Sequence, residues 1–193
     1  MKLSPRAGGL VTIPNVLTLV RLILIPFFVA ASVRGHFTEA FILFVAAGLT
    51  DAIDGYVARR FNQRTKLGAF LDPAADKLMM VSAYIVYTLP WVATQAIPHW
   101  LTFTIFLRDV LIVVFAYLLY TRVHITRFPP SIPGKISTLL QITTLAVTIA
   151  ANAPFGSVFT PSLPPLYQAT LLMTLFSGFD YIRKQDRNLE LQS

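Results

Sequence analysis

Residues 51–76 read Asp51-Ala52-Ile53-Asp54-Gly55-Tyr56-Val57-Ala58-Arg59, eight further residues, then Gly68-Ala69-Phe70-Leu71-Asp72-Pro73-Ala74-Ala75-Asp76. The whole chain has nine acidic residues, and four of them stand in this one stretch. Asp51 and Asp54 are spaced i,i+3, and Asp72 and Asp76 are spaced i,i+4, so each pair shares one face of a helix. Two such pairs facing each other form an all-oxygen cage suited to hard divalent cations such as Mg²⁺; the same acids also suit a structural salt-bridge network with Lys77, Arg21 and Arg108. Metal held in this way is a usual means of handling a diphosphate. Gly55, Ala58 and Gly68 punctuate the acids. Small residues there suit close approach of a ligand or, equally, of a neighbouring helix.

Around this stretch the chain is apolar. Of its 193 residues 55% are hydrophobic and 13% charged, with a mean hydropathy of +0.64. A soluble domain carries roughly 25% charged residues. The composition therefore predicts an integral membrane protein, read here as a single domain over 1–193. The net charge of +7 is then a matter of topology before it is one of nucleic acid, for which no groove-reading motif or aromatic–basic interleaving is present. The absence of cysteine excludes disulfides, thiolate metal sites and cysteine nucleophiles. Met1–Gly9 reads as too short and too rich in Gly and Pro for a transit peptide, so the first apolar helix is expected to remain as a span.

A bilayer core takes about 20 apolar residues per helix. Six spans are predicted, near 15–34, 38–60, 68–89, 97–121, 134–154 and 161–183, an all-α bundle of six transmembrane helices. Pro26 falls within the first and is expected to kink it. Lys2 and Arg6, then Arg59, Arg60, Arg64 and Lys66, then Arg122, Arg127 and Lys135, and last Arg183, Lys184 and Arg187 fall on one side of this arrangement. The other side has Arg34. The bias places both termini in the cytoplasm, with Trp91 and Trp100 at the opposite interface. At a rise of about 1.5 Å per residue, Asp54 and Asp51 lie about 9 and 13 Å below the cytoplasmic boundary, and Asp72 and Asp76 about 6 and 12 Å. The two pairs meet at one depth, open to the cytoplasm.

The run D-x2-D-G-x2-A-R-x8-G-x3-D-x3-D, together with Ile13-Pro14-Asn15, Leu17-Thr18 and Arg21 on the first helix, resembles the CDP-alcohol phosphatidyltransferase family. The resemblance covers the motif, the first-helix entry and six hydrophobic segments. It implies a phospholipid-synthesis enzyme of the cell (inner) membrane. Such an enzyme moves a phosphatidyl group from CDP-diacylglycerol to an alcohol and releases CMP. It further implies Mg²⁺ or Mn²⁺, two ions, on Asp51, Asp54, Asp72 and Asp76, with Asp76 also the base that deprotonates the acceptor. Gly55, Ala58 and Gly68 would border the nucleotide, Arg59 would hold its phosphate, and Asn15, Thr18 and Arg21 would contact the diphosphate. Arg59 also suits a positive-inside anchor, and Asn15 and Thr18 a helix start. A homodimer among membrane lipids is expected.

Arg108-Asp109 stands about halfway along the fourth span, near the bilayer midplane by position, where a charged pair is costly and functional by default. It also suits an ion pair that only fixes packing. Arg108 and Lys135 are the candidate acceptor-binding residues, although Lys135 could equally snorkel. Relatives that use glycerol 3-phosphate usually carry Ala-Arg-Glu on this helix and an arginine two turns on. Here Leu107-Arg108-Asp109-Val110 is followed by Ala116, and Lys135-Ile136-Ser137-Thr138 precedes Gln141. That form is more similar to the cardiolipin synthase branch, with phosphatidylglycerol as acceptor and glycerol 3-phosphate as the alternative. Other classes fit less well. An ion- or proton-coupled transporter suits buried Asp residues, but internal repeats and broken helices are not evident. A prenyltransferase would space its acids differently, and a scaffold needs no buried acids.

Overall fold

A computed structural model of the chain describes residues 13–60, 66–123 and 131–190; the side chains at 13, 14, 52, 54–60, 66, 67, 69, 70, 116–120, 122, 123 and 184–190 lie outside the described set. The described residues are helical, without strands: α1 (Ile13–Val33), α2 (Phe37–Arg60), α3 (Lys66–Thr88), α4 (His99–Val123), α5 (Ile132–Asn152) and α6 (Leu163–Glu190). They stand where six spans are predicted, but α6 runs on past the expected end near 183. α1 continues through Pro26 as one helix. Asn15–Val33 and Ile132–Asn152 are the stretches among the described residues that are apolar enough throughout to cross a bilayer, with mean hydropathies of 2.4 and 1.3.

The turns have local causes. α1 ends on Gly35, whose φ of 77° is open to glycine at little cost. Gly35 N–H donates to Ser32 O at 3.0 Å, and His36 N–H to Ala31 O at 2.9 Å. Ser131 caps α5, accepting from Gly134 N–H at 3.1 Å. After α5 the chain doubles back so tightly that a Cβ on Gly156 would stand 2.0 Å from Ala151 O. Asn152 ties this corner to the α3–α4 loop, accepting from Gln95 N–H at 2.9 Å and donating to Gln95 O at 3.1 Å.

α1 packs on α2 and α3, α5 packs on α6 and α2, and α4 packs on α6. The interior joins Phe28, Phe44 and Tyr87, with ring centroids 6.1 and 6.2 Å apart, to Leu101, Ile105, Leu145 and Ile149. Much of the rest of the interior is polar or small. Between α5 and α6, Thr144 and Thr170 hydroxyls meet at 2.7 Å, Ser137 and Thr174 at 3.3 Å, and Thr148 and Tyr167 at 3.3 Å. Meanwhile Ile23, Phe27, Leu139, Leu172 and Phe179 point outward, 59% to 67% exposed. In a water-soluble domain large apolar side chains concentrate inside. Buried hydroxyls with large hydrocarbon outside suit a lipid surround, where small and hydroxyl residues join helices.

Candidate active site

The inward stripe of α1 organises the site. Asn15, Thr18 and Arg21 recur every three residues and are all buried. Because α1 lies against both α2 and α3, this stripe meets acids from both. Thr18 Oγ1 donates to Asp72 Oδ1. Arg21 Nη1 donates to Asp76 Oδ1 and lies 3.2 Å from Asp51 Oδ1. Arg21 is 1% exposed, whereas the carboxylates of Asp51 and Asp76 are 48% and 43% exposed. A fully buried cation is thus neutralised by two half-open anions. The site is closed on the α1 side and open on the other.

Acids from two different helices converge on one nitrogen, so their oxygens can serve one positive charge. The donors are carboxylate oxygens, the set that suits a hard divalent ion. Among the described residues, however, no three His, Cys, Asp or Glu side chains come close enough to hold a metal. The Asp54 side chain lies outside the described set, as do those of Ala58 and Arg59, and of Gly55 only the helical backbone is described. Gly68 is buried on the first turn of α3.

The second predicted cluster is also charged, but built differently. Asp109 receives Lys77 Nζ from α3 and Arg108 Nη1 at 3.0 Å. Arg108 Nη2 donates to Ser177 Oγ on α6. The same nitrogen would lie 3.4 Å from a Cβ on Gly134. The guanidinium of Arg108 therefore reaches the first turn of α5. Lys135 is on that same turn and exposed; the Ala116 side chain is outside the described set. Ser177 was not singled out in the sequence. A lone serine on an apolar helix carries no motif, and only the Gly178 beside it hints at close packing.

Lys77 follows Asp76 directly, so the Lys77–Asp109 pair connects the two clusters across α3 and α4. The pair holds the acidic site against the Arg108 site without a shared motif.

A family model for CDP-alcohol phosphatidyltransferase matches residues 11–178. A probable cardiolipin synthase (CMP-forming) of Drosophila melanogaster is 31% identical over 199 residues, 95% of this chain and 60% of the relative. A putative cardiolipin synthase of Mycobacterium bovis is 37% identical over 162 residues, 83% of this chain and 70% of the relative. A CDP-diacylglycerol–glycerol-3-phosphate 3-phosphatidyltransferase of Bacillus subtilis is 30% identical over 188 residues, 89% of this chain and 94% of the relative. This chain thus spans three fifths of the length of the Drosophila relative. The match runs through α1, the four acids, Arg108 and Ser177, and on it the chain belongs to the CDP-alcohol phosphatidyltransferase family, a family of enzymes.

Proposed function

We propose that this chain, as one domain, transfers a phosphatidyl group from CDP-diacylglycerol to a glycerol-type alcohol, with phosphatidylglycerol the preferred acceptor. The observation that carries the reading is the convergence of Asp51 and Asp76, from two helices, on Arg21, with Asp72 held beside them by Thr18. Arg21 stands where positive charge is wanted between two carboxylates, a place that a hard cation also suits. Two Mg²⁺ or Mn²⁺ ions on Asp51, Asp54, Asp72 and Asp76 would, when bound, neutralise the diphosphate and the departing CMP.

The chain's own groups do the rest. Arg21, Thr18 and Asn15 line the buried wall, where they position the diphosphate. Arg59, Gly55, Ala58 and Gly68 complete the nucleotide side. Asp76, half exposed beside Arg21, takes the proton of the acceptor hydroxyl. That oxygen forms the new bond to the phosphorus bearing diacylglycerol, and the bond to CMP breaks. Arg108, with Lys135 nearby, faces the acceptor's phosphate.

Phosphatidylglycerol is favoured over glycerol 3-phosphate on the charge available. A phosphodiester carries one negative charge, which Arg108 matches. A monoester wants a second fork of donors, and the sequence has Ala116 where other relatives place one. The inside-out distribution of apolar side chains supports a membrane bundle of six spans. The positive-inside bias supports cytoplasmic termini and a site open to the cytoplasm.

The test is purified protein with labelled CDP-diacylglycerol, offered phosphatidylglycerol, glycerol 3-phosphate, inositol phosphate or serine separately. The expected result is the highest kcat/KM with phosphatidylglycerol, abolished by EDTA and restored by Mg²⁺ or Mn²⁺. Preference for glycerol 3-phosphate moves the chain to the other branch, and full turnover in EDTA ends the metal reading. For topology, Trp91→Cys is expected to react with an impermeant thiol reagent from outside intact cells, and Arg64→Cys is not.

A further inference from the structure

On α6 the polar face of Thr170, Thr174 and Ser177 is buried throughout. Thr170 meets the Thr144 hydroxyl of α5, and Thr174 meets Ser137 and Gln141. Ser177, three residues on, instead accepts from Arg108 Nη2 of α4, and it is 1% exposed. The guanidinium it meets lies at a junction of three helices. Asp109 takes Nη1 at 3.0 Å. On the α5 side a Cβ on Gly134 would stand 3.4 Å from Nη2 and 3.7 Å from Ser177 Oγ. On the α6 side a Cβ on Gly178 would stand 3.7 Å from Arg108 Cγ. Arg108 also borders a cleft of about 240 Å³ between α4 and α6, walled mostly by hydrocarbon such as Leu111 and Leu175.

A guanidinium carries five N–H donors in one rigid plane. Arg108 Nε is buried without a hydrogen-bond partner among the described residues, so the two terminal nitrogens set the plane. Asp109 on Nη1 and Ser177 on Nη2 are two anchors, and one anchor alone would let the plane turn about that contact. Asp109 is also drawn toward Lys77 Nζ, and the hydrocarbon of the cleft offers no acceptor in place of Ser177. Each terminal nitrogen keeps a second N–H, the pair that makes a side-by-side fork for two phosphate oxygens. Resting on the reading that Arg108 faces the acceptor's phosphate, we infer that Ser177 is a positioning residue that holds this fork in the plane the phosphodiester meets. It touches no reacting atom and acts only through Arg108. Its loss is therefore felt in KM for the acceptor, and is not felt where Arg108 has no guanidinium.

The test is steady-state kinetics of the full chain in mixed micelles, with CDP-diacylglycerol and phosphatidylglycerol varied in turn. The unaltered protein, Ser177→Ala, Arg108→Met and the double variant are compared. Ser177→Ala is expected to raise KM for phosphatidylglycerol about tenfold, the size of a lost hydrogen bond to a charged group. Its kcat and its KM for CDP-diacylglycerol should stay within about twofold. In the Arg108→Met background the same change should alter KM for phosphatidylglycerol by less than about twofold, since two partners in one contact are not additive. A rise that persists in full without the guanidinium overturns the positioning role, as does an unchanged KM in Ser177→Ala. So does a lowered unfolding temperature with kcat and both KM values altered alike, the mark of a serine that only packs. Arg108→Met with a normal KM for every acceptor refutes the reading of Arg108 and the inference with it. A raised KM there beside a normal one in Ser177→Ala refutes the inference alone. The same proteins are then offered glycerol 3-phosphate. A non-additive rise in its KM instead would keep Ser177 in its role and change the acceptor.

Discussion

The two charged clusters are built on opposite plans. At the α1–α3 cluster a buried arginine is surrounded by carboxylates that remain half open. At the α4–α6 cluster a mostly buried arginine shares one carboxylate with a lysine and adjoins an apolar cleft. The first collects negative charge where a cation or a cation-bearing diphosphate can enter. The second keeps a positive charge at the edge of hydrocarbon. A reaction between a nucleotide lipid and an anionic alcohol needs both.

The largest effect expected is at the acids. On the proposed reading, Asp72→Asn removes one oxygen donor for the divalent ions, and it leaves Thr18 without its anionic acceptor. Replacing an outer partner of a metal site typically costs 10–100-fold, so loss of a direct ligand should lower kcat by more than about hundredfold. KM for phosphatidylglycerol should change little. Steady-state kinetics with each substrate varied in turn will check this, and a purely structural Asp72 would show as unfolding with no kinetic split. Next comes Arg108→Met, which keeps most of the stem's volume and removes the charge. Loss of a buried charged partner costs about 2–5 kcal/mol, or roughly 30-fold upward in acceptor KM. KM for CDP-diacylglycerol should stay near its original value. Equal rises in both would merge the two clusters into a single site.

The two plans were unequally legible in the sequence. The acids announce themselves because helical spacing is written directly into their positions, and fixed small residues between them narrow the choice. Thr18 and Arg21 were readable only through the resemblance of the first-helix entry, since a threonine and an arginine on an apolar helix carry no chemistry by spacing alone. The partner of Arg108 was not, because Ser177 lies 69 residues away and nothing local marks it. The cleft could not be read at all, since leucines and phenylalanines that wall a groove look like those that face lipid. The buried polar stripe Ser137, Gln141, Thr144 and Thr148 on α5 stands at helical spacing but was not picked out as a stripe. Average hydropathy conceals such a stripe, because the apolar residues between its members dominate the mean.

A smaller effect tests the link between the clusters. Asp109 is 14% exposed and answers two cations, whereas Lys77 is 47% exposed. Breaking a buried pair by removing one partner costs about 3–5 kcal/mol, and an exposed pair is worth about 0–1. The link lies between these limits. Asp109→Asn is expected to destabilise the protein by about 2 kcal/mol, and Lys77→Met by less than about 1 kcal/mol. Thermal unfolding in detergent with both variants side by side will show the order. If Lys77→Met proves the costlier, the link serves α3 and the acidic site rather than Arg108.

The smallest effect concerns what holds α6, and with it Ser177, in place. Thr144 and Thr170 meet hydroxyl to hydroxyl at 2.7 Å and are wholly buried. Hydrogen bonds between membrane helices contribute on average about 0.6 kcal/mol and at most about 1.7, because the separated helices also find partners. Thr170→Val nearly conserves shape while deleting the hydroxyl, and it leaves the Thr144 hydroxyl its own i−4 carbonyl as an alternative acceptor. A loss of about 0.6 kcal/mol is therefore expected, with the coupling to Thr144→Val in a double-mutant cycle of similar size. Neither substrate's KM should move, because the pair lies between α5 and α6 and belongs to neither cluster. A tenfold rise in acceptor KM without loss of stability would mean that the α5–α6 seam sets the geometry of Arg108, and the boundary of the second cluster would then have to be drawn to include it.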